Sequence, residues 1–245
     1  MSFSKLSLLI LVVSSFACNQ LSDRFEEFHC KPAFDFPRKT IFQSCRTFIY
    51  EAKYWDPNYN LISKEDVRMI STGNFVGDGG NEIDILVQFG DRGSEEKAIR
   101  AFNINEDLKD LPWKRNNHQS AQETDTDVWM HPFRDNQYVF TQVAPYPSVN
   151  LPLEAGKKWT SNLIIYEGWG DWNNQQLISE YEVIGEELID LPFGSVLAWR
   201  IHAFLDTPFG IATHDFWYHT SYGFVKMQYT NFEDQLLLFE LKAVN

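Results

Sequence analysis

The sequence predicts an all-β protein, with at most minor α-helix, in which an antiparallel meander forms a curved sheet, half-barrel or barrel. Three observations predict this class. Short segments rich in β-branched and aromatic residues are separated by clusters of Gly, Asn, Asp and Pro. The turns of the second half are very short, which favours neighbouring antiparallel strands. Apolar and polar residues alternate along these segments, so one face of the sheet is apolar and has to be covered.

The first half carries strand patterns at 47–54, 66–71, 82–89, 99–104 and 137–143, a short helical turn at 106–111 and a polar loop at 116–127. The region 147–245 is the clearest antiparallel meander, with strands predicted at 160–166, 176–184, 195–205, 211–220, 224–230 and 235–243. Leu197, Trp199 and Ile201 are expected on its buried face, and Arg200 and His202 on the opposite face. Residues 47–245 are therefore predicted to form a single β-rich domain.

The first 17 residues have the order of a secretory signal peptide. Lys5 precedes an apolar run from Leu6 to Val13, and small residues lead to Cys18. This run is too short to cross a bilayer, which takes roughly 20 apolar residues. Residues 1–17 are therefore predicted to be a signal peptide that is removed, with residues 18–46 as the modified N-terminus and a spacer.

The four residues 15–18 resemble the lipobox of bacterial lipoproteins, in which the cysteine is acylated and becomes the new N-terminus. Ser15 stands where that motif usually has leucine. The resemblance implies a palmitate-type lipid on Cys18, a membrane anchor, and a place in the bacterial cell envelope, periplasmic or at the outer membrane. An ordinary signal peptide cut near Ala17 and an uncleaved N-terminal anchor are the alternatives.

Charge and cysteine content fit that compartment. The net charge is −13, and removal of Lys5 with the leader makes it −14. An acidic surface repels phosphate backbones, so nucleic acid is not expected as a partner. Cys30 and Cys45 are predicted to form a disulfide that closes a loop of about 15 residues and is worth roughly 3 kcal/mol. Two unpaired thiols are the alternative.

Two patterns invite a metal hypothesis. Residues 73–86 resemble one FG-GAP-type repeat of β-propellers, which implies calcium held by Asp78 and Glu82. The motif occurs once where a propeller needs several blades, and an ordinary Gly-rich turn is the favoured alternative. His214 and His219 are five apart on a predicted strand, so they point to opposite faces and are not expected to share an ion. No other cofactor is predicted.

Aromatic residues supply candidate ligand-binding positions. Trp169 and Trp172 lie in a Gly-rich loop and could form a rim over a ligand, or fold back to cap the end of a barrel. The strands that follow carry four further candidates, Trp199, Phe204, Phe216 and Trp217. Periodicity does not say which of these face a cavity.

The stretches 151–159, 181–185, 191–195, 216–218 and 223–226 resemble, in that order, uncharacterised periplasmic half-barrel domains of the bacterial envelope. The resemblance implies a fold and a compartment but no catalytic residues. The nucleophile elbow of serine hydrolases is absent at Ser195, and an enzyme is not predicted. The leading hypothesis is a lipid-anchored protein that binds or assembles an apolar ligand, a lipid moiety or a protein segment. A scaffold lipoprotein without a pocket is the alternative, and an envelope hydrolase the third.

Overall fold

A computed structural model gives the fold. It describes residues 25–30, 39–77, 81–89, 114–166 and 172–245. The strands of these residues are β1 Thr47–Trp55, β2 Leu61–Val76, β3 Glu82–Phe89, β4 Asn116–Glu123, β5 Asp127–Met130, β6 Ser148–Asn150, β7 Lys158–Ile164, β8 Gln176–Leu191, β9 Gly194–Thr207, β10 Gly210–His219, β11 Gly223–Thr230 and β12 Leu236–Val244. A 3-10 helix, Asn136–Val143, lies between β5 and β6.

All of these strands belong to one antiparallel sheet in the order β6-β5-β4-β3-β2-β1-β12-β11-β10-β9-β8-β7. Neighbours in the chain are neighbours in the sheet, except for β6 and β7 at its two edges. β1 pairs with β12, so that Tyr50 lies opposite Leu241. The sheet curls into a nearly closed barrel whose two edges are β6 and β7. The predicted all-β antiparallel meander is confirmed.

The interior of this barrel is filled by the chain itself. All residues of the 3-10 helix after Asn136 are buried. The Tyr138 ring packs edge-on against Phe239, and the Phe140 ring stacks on Tyr54. The prediction of a strand at 137–143 is wrong, because this buried segment is a 3-10 helix that pairs with none of the described strands.

The predicted polar loop at 116–127 is also wrong, because β4 occupies most of it and pairs with β3. Its polar side chains have polar partners: His118 Nδ1 lies 2.9 Å from the Asp84 carboxylate, and the Asn117 amide donates to Asp135. Polar composition therefore does not prevent a strand here. The predicted strand at 99–104 and helical turn at 106–111 lie outside the described residues.

The predicted alternation in β9 holds for its second half and shifts in its first. Ile201, Ala203 and Leu205 are buried, whereas Leu197 is 54% exposed and Ala198 is buried in its place. The change falls where β8 has a register shift between Val183 and Gly185 in its pairing with β9.

The segment 39–46, here called the strap, closes one end of the barrel. Its Ile41 and Phe42 side chains are fully buried in the core, so this part of the predicted spacer belongs to the folded body. The Glu123 carboxylate accepts hydrogen bonds from three successive strap amides, with N···O distances from 2.7 to 3.2 Å. Cys45, at the end of the strap, is bonded to Cys30 in a disulfide.

The opposite end is closed by a second apolar cluster of five buried residues, Val143, Ile165, Trp172, Leu177 and Leu205. The described residues thus place buried side chains at the strap end, in the middle and at the opposite end of the barrel. None of the helices in the described ranges has the length and apolar character that a membrane-spanning helix needs.

Candidate functional site

The two edges of the sheet are β6 and β7, which are not paired with each other in the described part of the chain. β6 has three residues and is followed by residues 151–157, which lead into β7. The Lys157 ammonium group donates hydrogen bonds to the backbone oxygens of Asn150 and Pro152, both at 2.8 Å. Lys157 thus ties the end of one edge strand to the start of the other, while β7 itself has a strand partner on one side alone, β8, among the described residues.

The pairing with β8 determines which backbone groups of β7 point away from the sheet. Val183 N–H donates to Lys157 O at 2.9 Å, and Ile165 N–H donates to Gln175 O at 2.9 Å. In an antiparallel pair, alternate residues bond to the partner strand. Odd-numbered residues of β7 therefore bond to β8. The even-numbered residues, Lys158, Thr160, Asn162 and Ile164, direct their N–H and C=O groups to the free edge.

The same four residues have exposed side chains. An open edge is usually protected by proline, a bulge or charge, since it is a template for another strand. β7 contains no proline, and its register with β8 is regular throughout. Its one charged side chain, Lys158, is held at 3.0 Å by Glu182 of β8. Within the ranges that the structure describes, no strand therefore pairs with this edge at any point along β7.

Apolar side chains lie beside this edge on the outer surface. Ile164 is 48% exposed and Ile178 of the neighbouring strand β8 is 54% exposed. Ile178 lies opposite Asn162. The outer face next to β7 therefore offers apolar contacts to a chain that lies along the edge.

On the inner side, β7 rests on aromatic rings. The Trp159 indole stacks on Tyr181 of β8 with 5.2 Å between ring centroids, and the Tyr181 hydroxyl donates to Tyr146 O at 2.9 Å. The Tyr146 ring lies 5.4 Å from His131. Trp159 Nε1 and His131 Nδ1 are buried without a hydrogen-bond partner in the described part of the chain. Burial, with a smaller contribution from Arg134, lowers the pKa of His131 to about 3 and keeps it neutral.

The described aromatic candidates do not converge on one surface. Trp172 is buried against Phe209 and Phe232, with 4.5 Å between the Trp172 and Phe209 centroids, as the capping alternative expected. Phe216 is fully buried in the core, and Trp199 packs partly buried against it. These three side chains are spread over the end and the body of the barrel, so they line no common cavity.

Two further candidates lie on the outer face. Phe204 is half-buried there, and Trp217 is covered by the cations of Lys226 and Arg200, at 5.0 and 5.5 Å from its ring. The Trp217 Nε1–H donates to Glu187 at 2.9 Å. This tryptophan belongs to a network of charged side chains across the outer strands and is already covered.

Three of the predicted site residues, Cys18, Asp78 and Trp169, lie outside the described residues. Glu82 is described and begins β3 beside Gly77. Within the described ranges no group of three or more His, Cys, Asp or Glu side chains is placed to hold a metal ion.

The two histidines of β10 have different environments. His214 is fully buried and its Nδ1 bonds to Pro145 O at 2.9 Å, whereas His219 is partly exposed and stacks on Tyr222. Burial lowers the pKa of both, most strongly that of His214. The two rings do not share a site.

A cleft of about 340 Å³ lies at the strap end, between the strap, the β4–β5 turn and the β10–β11 turn. Its lining includes Lys39, Glu123, Asp125 and Tyr218. The Glu123 oxygens are engaged by the strap amides, and Lys39 Nζ donates to the Glu123 backbone oxygen. The functional groups of this cleft therefore serve mainly to hold the strap.

Sequence reasoning placed a strand at 160–166 but did not identify it as an edge. The local pattern of β7 is that of any half-buried strand, and its free side results from the order of all strands in the sheet. The sequence carries one indication of an open edge, the lack of protective residues: β7 has no proline, and its one charged residue is its first.

Comparisons with known proteins find no matching family model and no matching curated protein. Solved structures resemble the chain in shape. A Bacteroides fragilis protein assigned as exported, with a YmcC-like fold, has a TM-score of 0.48 at 12% identity and covers 83% of this chain and 96% of its own. A Parabacteroides distasonis protein assigned as a lipoprotein has a TM-score of 0.47 at 9% identity, covering 85% and 100%. A β-barrel-like protein of Brucella abortus has a TM-score of 0.40 at 12% identity, covering 82% and 97%.

Proposed function

We propose that this chain is a lipid-anchored protein of the bacterial cell envelope that binds an extended segment of a protein along the free edge of β7, without catalysis. The observation that carries the proposal is the row of four residues, 158, 160, 162 and 164, whose backbone donors and acceptors face outward. An extended peptide that lies along such an edge gains main-chain hydrogen bonds, and its side chains contact alternate neighbours.

The filled interior supports binding at the edge over binding inside the barrel. The 3-10 helix is anchored as well as packed: the Tyr138 hydroxyl and the Gln137 amide both donate to the Glu65 carboxylate. An apolar ligand inside the barrel would have to displace a segment that is bonded to the wall. A protein segment along β7 displaces no described part of the chain.

The leader supports the location. The apolar run from Leu6 to Val13 and the small residues before Cys18 favour export and lipidation, and the cysteine pair 30–45 suits an oxidising compartment. The scaffold alternative shares the filled interior but gives the open edge no role. The two differ in whether a partner chain lies along β7.

The test is site-specific photo-crosslinking in cells that express the full chain. A photoreactive residue at Asn162, and separately at Thr160, is expected to give one adduct of discrete mass. The two positions should map to partner residues two apart in one segment, because paired strands advance in step. The same residue at Thr213, on the outer face of β10, serves as the control for chance contacts.

A proline variant checks that the contact is strand pairing. Thr160→Pro removes an N–H that faces the free edge and leaves the ladder to β8 intact, so the fold should persist while the Asn162 adduct falls at least 10-fold. Ser161→Pro removes a bond to β8 and should destabilise the protein. Adducts of equal yield at Asn162 and Thr213, or no adduct at the edge, would overturn the proposed function.

A further inference from the structure

We infer that the segment bound at the edge is β7 of a second copy of this chain, paired antiparallel about a two-fold axis at Ser161. The inference rests on the proposed function and names its partner. It follows from the symmetry of the strand: the types of residue on either side of Ser161 are complementary when β7 is turned end over end against itself.

The free groups limit the register of such a pair to those in which even-numbered residues face even-numbered residues. Within that set, the side chains described next favour the register centred on Ser161. The outward-facing residues would form the hydrogen-bonded pairs, with Thr160 opposite Asn162 and Lys158 opposite Ile164 of the second copy. Applied twice by the symmetry, these pairs give roughly eight backbone hydrogen bonds. The non-bonded positions between them would place Ser161 directly opposite itself, with close Cα atoms.

The side chains agree with this register on both faces. On the inner face, Trp159 would lie opposite Leu163 of the other copy, and the small Ser161 would occupy the axis where space is least. On the outer face, Thr160 meets Asn162, and Lys158 meets the aliphatic Ile164 instead of another cation. Apolar and polar cross-strand pairs of these kinds stabilise a sheet, whereas like charges directly opposite destabilise it.

The same arrangement would cover the apolar surface beside the edge. Ile164 and Ile178 are each about half exposed in the single chain. Ile178 lies opposite Asn162, next to the axis, and Ile164 lies at the end of the paired stretch. Each anchored copy, without the leader and its Lys5, carries a net charge of −14, so long-range repulsion opposes association. Anchoring of both copies to one membrane raises their effective concentration and offsets that repulsion. A two-fold interface of this kind is closed and stops at a dimer.

The inference is tested by cysteine crosslinking of the full chain in cells. Ser161→Cys places a thiol on the axis, at a non-hydrogen-bonded pair whose short Cα separation suits a disulfide. We expect a covalent dimer at least 10-fold more abundant than for Lys158→Cys, the matched control on the same strand. Two Lys158→Cys thiols would lie roughly 20 Å apart in this register, and the unsubstituted chain gives the background.

The outcome separates the inference from the proposed function. Ser161→Cys without a dimer, together with an Asn162 photo-adduct that contains a different protein, would overturn the second copy as partner and leave strand addition in place. The absence of any edge adduct would overturn both. If the Ser161→Cys chain does not fold, the Asn162 adduct in the otherwise unchanged protein decides: twice the mass of one chain supports the inference, and any other mass contradicts it.

Discussion

Gly223 begins β11 at the point where the strap crosses the end of the barrel. Its φ is +72°, and a Cβ added there would lie 2.6 Å from Cγ2 of Ile41. Side chains rarely adopt this backbone conformation, and the close contact leaves no space for one. The strap can therefore pack closely on the start of β11 because Gly223 has no side chain.

Gly223→Ala is expected to lower the free energy of unfolding by about 2–4 kcal/mol, from backbone strain plus displacement of Ile41. Urea unfolding measures it. Gly156→Ala is the matched control, because Gly156 has φ +82° with no atom within 4 Å of the added Cβ. It should lose about 1 kcal/mol. Equal losses for the two variants would show that the Ile41 contact has no energetic weight.

His131 predicts a pH dependence of stability. Its pKa is about 3 in the folded protein, below the ordinary value of 6.5. As pH falls below about 6.5, the unfolded chain takes up a proton that the folded chain does not, so stability is lost between about pH 6.5 and pH 3. Such a histidine steepens the slope by up to about 1.4 kcal/mol per pH unit.

His131→Asn, which does not titrate, should flatten the dependence. The measurement is urea unfolding at pH 7 and at pH 4.5 for both proteins. The difference in stability between the two pH values should be smaller in the variant. An unchanged difference would mean that His131 is protonated in the folded protein.

At the scale of elements, three successive backbone amides of the strap share one acceptor, the Glu123 carboxylate. Glu123→Ala would leave the amides of Thr40, Ile41 and Phe42 without their acceptor, and those of Ile41 and Phe42 are buried. We expect a loss of about 2–3 kcal/mol and faster hydrogen exchange of these amides, read by mass spectrometry. Glu154→Ala is the control, since that side chain is exposed. Unchanged exchange in the strap would contradict this role.

The disulfide ties the N-terminal arm to the strap. Residues 25–30 lie against the barrel, where the Gln88 amide donates to Glu26 O at 3.0 Å. Thiol titration of the denatured, unreduced protein should find Cys30 and Cys45 unreactive, and the double serine variant should lose roughly 3 kcal/mol. Two reactive thiols from this pair would contradict the bond.

Individual elements show how much of the fold can be predicted from the sequence. Both ends of the strand 82–89 are predicted correctly, because alternating β-branched residues between turn residues are typical of a strand and of no other element. β4 is missed because its polar side chains have partners distant in sequence, such as Asp84 and Asp135. An apolar and aromatic segment such as 137–143 suits a strand of the sheet and a buried helix inside the barrel equally well. Its position inside the barrel depends on the strands that surround it.

At the scale of the whole molecule, the curvature of the sheet is predictable and its contents are not. Strands with one apolar face need other residues packed against that face. Here the 3-10 helix between β5 and β6 does so, and its local sequence pattern does not predict this position. The candidate ligand residues were chosen for aromatic character. Most are used in packing, since large rings supply most of the area that a core buries. The open edge depends on the complete strand order.

The most direct test of binding at the edge is residue-resolved hydrogen exchange of β7 in the full-length protein. It compares the protein in the membrane where it was made with the same protein purified and diluted. The amides of Thr160 and Asn162 should be protected in the membrane and exchange at least 10-fold faster after dilution, while the Ser161 amide stays slow in both because it bonds to β8. Fast exchange of Thr160 and Asn162 in both samples would contradict the account.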